Sequence, residues 1–393
     1  MSEWKKVSLS EMGIVSRGKS KHRPRNDTRL YGGRYPFIQT GDIGAAGLYV
    51  TDYSQTYNEE GLAQSKLWEK NTLCITIAAN IADTALLAFP ACFPDSIMGF
   101  VPHKDVANVK YVKYCFDILK KDCQQISQGT AQDNLSWKKL STIKFPCPPL
   151  EVQNRIATIL SRYDSLIENY QKQIKLLEEA AQRLYKEWFV DLRFPGHENT
   201  KIVDGVPDGW EKKPISQLGE YLNGFAFKPS DWQKSGKPII KIKEMGNGVS
   251  NDTPRNNGER VPAKYLVKAG DLLFSWSATL MVIVWSGEEG WLNQHLFKVT
   301  PSKGIEREFL LQSISNTIEE FQNLTTGSTM KHIQRNKLDQ VFVNVPNDEI
   351  MKRYSSIAEK ERTEILHLSS QIRLLTEARD RLLPKLLSGE ITV

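Results

Sequence analysis

The chain has 393 residues, of which 40% are apolar and 25% are charged. At about 150 residues per domain this length predicts two or three domains, and the composition excludes a disordered or collagen-like chain. No apolar run reaches the length of a transmembrane helix, because the stretch from Leu73 to Cys92 is broken by Asn80 and Asp83. The first ten residues lack the apolar segment of a signal peptide, so we expect no membrane partner.

Cysteine, histidine and net charge narrow the class of protein further. The five cysteines form no C-x-x-C pair, which disfavours structural zinc and fits thiols kept reduced in the cytoplasm, the predicted location. The six histidines lie far apart with no H-E-x-x-H spacing, so no metal site is expected. Lys and Arg exceed Asp and Glu by 52 − 46 = 6, which permits a nucleic-acid partner without demonstrating one.

The sequence contains an internal duplication. Residues 4–13 align with residues 210–219 at an offset of 206, and residues 173–177 align with residues 371–375 at an offset of 198. Each copy therefore has a variable front and a repeated tail. The duplication predicts two fronts, two tails and a Gly- and Pro-rich linker between the copies, with the following bounds in chain order: 1–147 (front), 148–190 (tail), 191–209 (linker), 210–345 (front) and 346–390 (tail).

Both tails have the heptad spacing of a two-stranded coiled coil, and Pro148-Pro149 marks the helix start. Charged residues such as Lys172 and Glu179 fall outside this spacing, whereas Glu361 and Arg379 interrupt it in the second tail. The predicted interface residues are Ile156, Leu160, Tyr163, Ile167, Tyr170, Ile174, Leu177 and Leu184 in the first tail, and Ile365, Leu368, Ile372, Leu375, Leu382 and Leu386 in the second.

The linker length predicts the direction of helix pairing. The first tail would be about 60 Å long as a helix. A parallel pair would require the linker to span that distance, close to the roughly 65 Å that 19 extended residues can reach. We therefore expect an antiparallel coiled coil with a globular front at each end, related by a pseudo-twofold axis.

Each front has the pattern of a mixed α/β domain, which gives an α+β fold class overall. A helix is predicted at residues 109–125, and its counterpart at 305–323. Short β-rich runs are separated by Gly, Asn, Asp and Pro. These runs are residues 35–39, 73–77, 239–242, 272–275 and 341–345.

No catalytic constellation is found. The chain lacks both G-x-x-x-x-G-K-[ST] and G-x-G-x-x-G. Residues 147–150 superficially resemble the Asn/Asp-Pro-Pro-aromatic tetrapeptide of amino-methyltransferases, but Cys147 and Leu150 replace its polar and aromatic ends, which favours a helix start. Glu211-Lys212-Lys213 matches half of a nuclease motif, yet Asp208 is too close to be its metal-binding aspartate. We expect no catalytic residue, no metal and no cofactor on this chain.

A cluster of basic residues near the start is the clearest binding feature. Its seven side chains fall within 18 positions that include only one acid, Asp27, and several Gly and Pro residues typical of a loop. Two interpretations stay open, phosphate neutralisation on DNA and a solvated basic loop. The cluster comprises Arg17, Lys19, Lys21, Arg23, Arg25, Arg29 and Arg34.

Two loops with Gly-Thr or Gly-Ser occupy equivalent places in the copies, and their polar groups could reach base edges or phosphates. Polar turns before a strand are an equally good interpretation. Lys241 and Lys243 are candidates in the second front, and residues 35–42, 275–277 and 293–295 are weaker ones. The loop candidates are Gly129, Thr130, Gln132, Asn134, Gly327, Ser328, Lys331 and His332.

The layout and several motifs resemble the specificity subunit of type I restriction-modification systems over essentially the whole chain. In the second copy, Glu349-Ile350-Met351 departs from the Glu-x-Gln of the usual motif. The resemblance is carried by residues 148–156 (PPLEVQNRI), 184–190 (LYKEWFV), 193–197 (RFPGH), 207–210 (PDGW) and 386–391 (LLSGEI).

The resemblance implies that the fronts are target recognition domains, each reading one half of a bipartite, asymmetric double-stranded DNA site. The helices would dock modification (adenine methyltransferase) subunits, two of them expected, and restriction or translocase subunits. S-adenosylmethionine, ATP and magnesium would then act on those partners. A stand-alone DNA methyltransferase or nuclease is disfavoured by the missing motifs, and a purely protein-binding coiled-coil scaffold leaves the divergence of the fronts unexplained.

Overall fold

The computed structural model describes residues 4–127, 135–324 and 335–393. The chain divides into two compact units, of which unit 1 comprises Met1–Asn169 and Arg373–Val393 and unit 2 comprises Tyr170–Ile372. Each unit contains a mixed α/β domain, called head 1 or head 2 below, and part of each of two long helices. The predicted α+β class with two mixed domains and long helices is confirmed.

The strands of unit 1 are β1 (Lys5–Ser8), β2 (Gly13–Arg17), β3 (Tyr31–Phe37), β4 (Tyr49–Val50), β5 (Gln55–Tyr57), β6 (Leu67–Trp68), β7 (Leu73–Thr76), β8 (Thr84–Leu87), β9 (Ala91–Cys92), β10 (Ile97–Pro102) and β11 (Lys144–Cys147). Its helices are α1 (Leu9–Met12), α2 (Thr40–Ala45), α3 (Glu59–Ala63), α4 (Val109–Ser127), α5 (Trp137–Leu140) and the beginning of α6 (Leu150–Tyr185).

Head 1 contains two larger sheets. One has the strand order β2-β10-β7-β8-β4 and the other the order β5-β3-β9-β6, in which β3 and β9 run parallel. The first sheet packs against α4 and the start of α6 through fully buried side chains such as Phe100, Phe116 and Ile156. Strand β1 pairs with β11, which places the start of the head next to the start of the long helix.

The strands of unit 2 are β12 (Ile202–Val203), β13 (Val206–Pro207), β14 (Glu211–Pro214), β15 (Gly219–Asn223), β16 (Lys237–Ile240), β17 (Arg255–Asn256), β18 (Leu266–Val267), β19 (Leu272–Ser275), β20 (Met281–Val284), β21 (Gly290–Leu292), β22 (Leu296–Pro301) and β23 (Phe342–Val345). Its helices are α7 (Ile242–Asn247), α8 (Arg307–Asn316), α9 (Ile318–Asn323) and most of α10 (Asp348–Leu387).

Head 2 repeats the topology of head 1, except that its first sheet has no counterpart of β4. Its sheets have the orders β15-β22-β19-β20 and β17-β16-β21-β18, and β16 runs parallel to β21 as β3 does to β9. The duplication therefore extends through the variable fronts, where sequence similarity is thin. The helix expected at residues 305–323 is two helices, α8 and α9, which meet at Thr317.

The long helices meet in opposite directions within each unit. In unit 1, Ile156 and Leu160 near the start of α6 share a core with Leu386 near the end of α10. In unit 2, Tyr185 at the end of α6 lies against Tyr354 near the start of α10, with ring centroids 6.4 Å apart. All fourteen side chains assigned to the helix interface from the heptads are buried or half-buried.

Gln153 explains the Glu-x-Gln motif at the first helix start. Its fully buried amide donates hydrogen bonds to the carbonyl oxygens of Val106 and Pro148, each at 2.9 Å, and accepts one from the Asn108 N–H at 3.0 Å. These bonds fix the segment that leads into α4 against α6. Met351 holds the repeat-equivalent position in unit 2 and packs in the apolar core instead.

One equivalent position of the two long helices carries opposite charges in the two units. In unit 1, Asp164 of α6 accepts hydrogen bonds from the Tyr114 hydroxyl of α4 and from Arg379 of α10, the latter at 2.7 Å. The equivalent residue of α10 in unit 2, 198 positions later, is Arg362, which donates to Glu308 of α8 at 3.0 Å. The Glu308 side chain is 2% exposed and that of Arg362 is 7% exposed, so this ion pair lies in the interior.

The first tail ends in a π-helical turn, and the linker that follows it forms a hairpin. A π-helical turn, Lys186–Val190, continues α6 and places Trp188 and Phe189 in the core of unit 2. Strands β12 and β13 then form a hairpin. Its turn is Asp204-Gly205, with φ angles of 51° and 75°, which is the turn chemistry that two-residue hairpins favour.

Candidate nucleic-acid interface

The basic segment (residues 17–34) runs along the surface of head 1 with a fixed backbone. The Gly18 N–H donates to the Ile97 carbonyl at 2.9 Å, and the Lys19 N–H donates to the Phe93 carbonyl at 3.0 Å. A Cβ on Gly18 would lie 2.3 Å from the Pro94 carbonyl oxygen, so the close approach of the backbones requires glycine. The backbone of this loop is thus anchored while most of its charged ends face solvent.

Three of the seven cations are paired with carboxylates, and two of these carboxylates lie outside the basic segment in the sequence. Arg25 pairs with Asp95, Arg34 with Glu59 at 3.0 Å, and Arg29 with Asp27 at 2.8 Å. The Arg29 hydrogen bonds hold the pKa of the Asp27 carboxyl well below its usual range. Asp27 is the one acid within the basic segment, and the fold brings two further carboxylates, Asp95 and Glu59, to its arginines.

Four cations make no ion pair among the residues that the structure describes: Arg17, Lys19, Lys21 and Arg23. The Arg23 guanidinium donates to the carbonyl oxygens of Ser20 and His22, at 2.8 and 2.7 Å. Arg17 and Lys21 are exposed. The pairs at Arg25 and Arg34 are exposed on both sides, whereas the Asp27 side chain beside Arg29 is only 14% exposed. Exposed pairs contribute only about 0 to 1 kcal/mol.

A cleft of about 540 Å³ opens beside the basic segment. Its wall includes the rings of Phe37 and Tyr57, whose centroids are 4.1 Å apart. Burial raises the pKa of the neighbouring Tyr31 hydroxyl to about 12. The polar residues that line the cleft are Ser20, Arg25, Asn26, Thr28, Gln39, Thr40, Gln55 and Ser96.

Head 2 has two lysines just after β16, the strand that corresponds to β3 of head 1. Lys243 pairs with Asp252 at 2.8 Å, and this hydrogen bond lowers the pKa of Asp252 to about 2. The Lys241 ammonium lies 5.3 Å from the centre of the Trp232 ring. The weaker candidate segments meet here as well, because the Asn293 N–H donates to the Ile240 carbonyl and the rings of Trp276 and His295 lie 5.7 Å apart.

The structure brings some sequence candidates together and leaves others undescribed. The basic segment and residues 35–42 flank one cleft in head 1, and Gln55 is a cleft residue that sequence reasoning missed. No sequence signal identified it, because the exposed, half-buried and buried order of Gln55, Thr56 and Tyr57 in β5 is seen only in the structure. The loop candidates Gly129, Thr130, Gln132, Asn134, Gly327, Ser328, Lys331 and His332 lie outside the described residues.

The described part of the chain contains no group of three or more His, Cys, Asp and Glu side chains placed to hold a metal ion. Cys147 ends β11 and Leu150 begins α6, so the tetrapeptide between them forms a strand-to-helix turn. None of the helices within residues 4–127, 135–324 and 335–393 has the length and apolar character needed to cross a membrane.

Comparison with known proteins agrees with this architecture. The family model of the type I restriction modification DNA specificity domain matches twice, at residues 1–179 and 207–375. The specificity subunit of the type I restriction enzyme MjaIX from Methanocaldococcus jannaschii is 24% identical, over 100% of this chain and 94% of that protein. The HindI specificity subunit from Haemophilus influenzae is also 24% identical, over 100% of both chains.

Among solved structures, the type I restriction-modification S subunit from M. genitalium has the same fold. It superposes with a TM-score of 0.58 at 14% identity and covers 98% of this chain and 96% of that one. The two matches to the family model together cover most of the 393 residues, one match in each copy of the repeat. The chain belongs to the type I restriction-modification DNA specificity domain family and is a specificity subunit of such a system.

Proposed function

We propose that this chain recognises DNA without catalysing a reaction on it, and that each head reads one half of a bipartite, asymmetric double-stranded site. The observation that carries the proposal is that two heads of the same topology carry different side chains at the same strand end. Two half-sites of different sequence require two heads with different side chains on the surface that contacts DNA. The fold of the heads can stay the same, since base contacts determine specificity.

The helices would bind the modification subunits, two of them, and support the restriction or translocase subunits. Methyl transfer with S-adenosylmethionine, and cleavage that uses ATP and magnesium, would then belong to those partners in the cytoplasm. The helices also have apolar side chains outside the interface between them that are free for such contacts. These exposed residues of α6 and α10 are Leu166, Leu176, Ile357 and Leu374.

Phosphate contacts in head 1 are assigned to the cations of the basic segment that form no ion pair. Replacing Arg17 and Lys21 together with alanine should weaken binding to duplex DNA of every sequence. The slope of log K against log salt concentration should become shallower by about 1.8, since each lost phosphate contact removes about 0.9. Titration of the assembled complex with duplex DNA at several salt concentrations measures this slope.

Arg34→Ala is the matched control, because its guanidinium is already paired with Glu59 and both side chains are at least 70% exposed. This variant should change the slope less than the double variant does. A double variant whose salt slope equals that of the unaltered protein would remove the basic segment from the DNA interface.

A further inference from the structure

The two heads place different side chains at one equivalent position. Residues 36–44 align with residues 238–246 at an offset of 202, through Pro36 and Pro238, Ile38 and Ile240, and Gly44 and Gly246. In this alignment Gln39, which follows β3, is equivalent to Lys241, which follows β16. Both strands pair in parallel with a neighbour at this end, β3 with β9 and β16 with β21.

The backbone at this position is held in the same way in both heads. The Gln39 N–H donates to the Asp42 carboxylate at 2.7 Å, and the Lys241 N–H donates to the Glu244 carboxylate at 3.1 Å. The acid three residues later thus fixes the peptide in each case. The backbone at this position is thus the same in both heads, while the side chain changes from a neutral amide to a cation. This arrangement is expected where the two heads bind DNA in the same geometry but select different bases.

In head 1, Gln39 lines the cleft beside the basic segment. Its Nε2 donates to Oε1 of Gln55 at 2.7 Å, and both side chains are exposed. Most of the polar groups around them are neutral amides and hydroxyls, which suit base edges better than phosphates. An amide presents a donor and an acceptor side by side, and adenine offers the complementary pair at N6 and N7 in the major groove.

In head 2, Lys241 is half-buried and has no carboxylate partner among the described residues, unlike Lys243 two positions later. Its ammonium faces the ring of Trp232, which is 50% exposed. The ring limits where the ammonium can lie without neutralising its charge. A lysine donates only, and guanine offers two acceptors, O6 and N7, in the major groove.

We propose that Gln39 and Lys241 are the specificity-determining residues at this equivalent position, Gln39 reading an adenine in one half-site and Lys241 a guanine in the other. The inference rests on the proposed function, since it requires each head to read a half-site. It adds which side chain reads a base and which base it selects.

The test exchanges the two side chains in the full chain. Gln39→Lys and Lys241→Gln are each expressed with the cognate modification subunit in cells without other adenine methyltransferases, and the methylated sequence is read genome-wide. Gln39→Lys should change one A·T pair to G·C in one half-site only. Lys241→Gln should change one G·C pair to A·T in the other half-site only. Lys237→Gln is the matched control, because this ammonium pairs with Glu289 at 2.7 Å at the other end of β16, and it should leave the sequence unchanged.

A second experiment measures binding directly, because a variant complex that binds DNA without methylating it would give no result in the first. It uses alanine variants. Gln39→Ala and Lys241→Ala complexes are incubated with a pool of duplexes randomised over the target, and the retained DNA is sequenced. The preference for one base at one position should fall about tenfold. An unchanged recognition sequence, or a loss of binding that is equal for all sequences, would overturn the assignment of these two residues. If the unaltered chain directs no bipartite sequence at all, the proposed function fails as well.

Discussion

Replacing Leu160 by aspartate should prevent stable folding of unit 1, whereas the same replacement at Leu176 should have little effect. Both leucines lie on α6, but Leu160 is fully buried and Leu176 is 64% exposed. A carboxylate at position 160 would lose the packing of a buried leucine, about 2 to 5 kcal/mol, and would be desolvated without a partner. That loss is comparable to the total stability of a domain, about 5 to 15 kcal/mol.

Urea unfolding followed by circular dichroism measures the effect on the two variants. The unfolding midpoint of Leu160→Asp should fall sharply, or the protein should not remain soluble. Leu176→Asp should unfold close to the unaltered protein. Equal destabilisation by the two substitutions would contradict the assignment of the buried face of α6.

Replacing Glu308 by leucine should destabilise unit 2 by about 3 to 5 kcal/mol, because it leaves the buried guanidinium of Arg362 without its carboxylate. The exposed i, i+4 pair of Glu349 and Arg353 provides the control. Glu349→Ala should cost less than about 1 kcal/mol, since exposed pairs contribute little. The free energy of unfolding from denaturant titration compares the two.

The double variant Glu308→Leu with Arg362→Leu separates the ion pair from the packing around it. Removing both charges leaves no buried guanidinium without its carboxylate, and Arg307, which also contacts Glu308, is 35% exposed to solvent. Most of the lost stability should therefore return. A double variant that is as unstable as Glu308→Leu alone would show that packing, and not the unpaired charge, causes the loss.

The long helices could be predicted because their stability depends on a periodic pattern that is local in sequence. Apolar residues at heptad spacing identify the buried face of α6 and α10 without knowledge of the heads. Arg379 looked like an interruption of that pattern in sequence. In the structure its guanidinium reaches Asp164, 215 residues earlier in the chain, and a contact of that separation has no local signal.

The binding surface could be predicted only in part for the same reason. The seven basic residues of head 1 are visible in the sequence, but Asp95 lies 70 residues from Arg25 and becomes its partner only through folding. The equivalence of Gln39 and Lys241 was also hidden, because only three residues are identical over nine aligned positions. The shared strand order of the heads reveals it.

The most direct measurement of the central claim is the methylated sequence directed by a chain whose first head, residues 1–147, is replaced by that of a relative. Cells that lack the modification subunit serve as the control and should show no methylation by the chain. Genome-wide methylation mapping should show one half of the target replaced, with the other half retained because head 2 and both helices are unaltered. A replacement that rewrites both halves at once would contradict independent reading by the two heads.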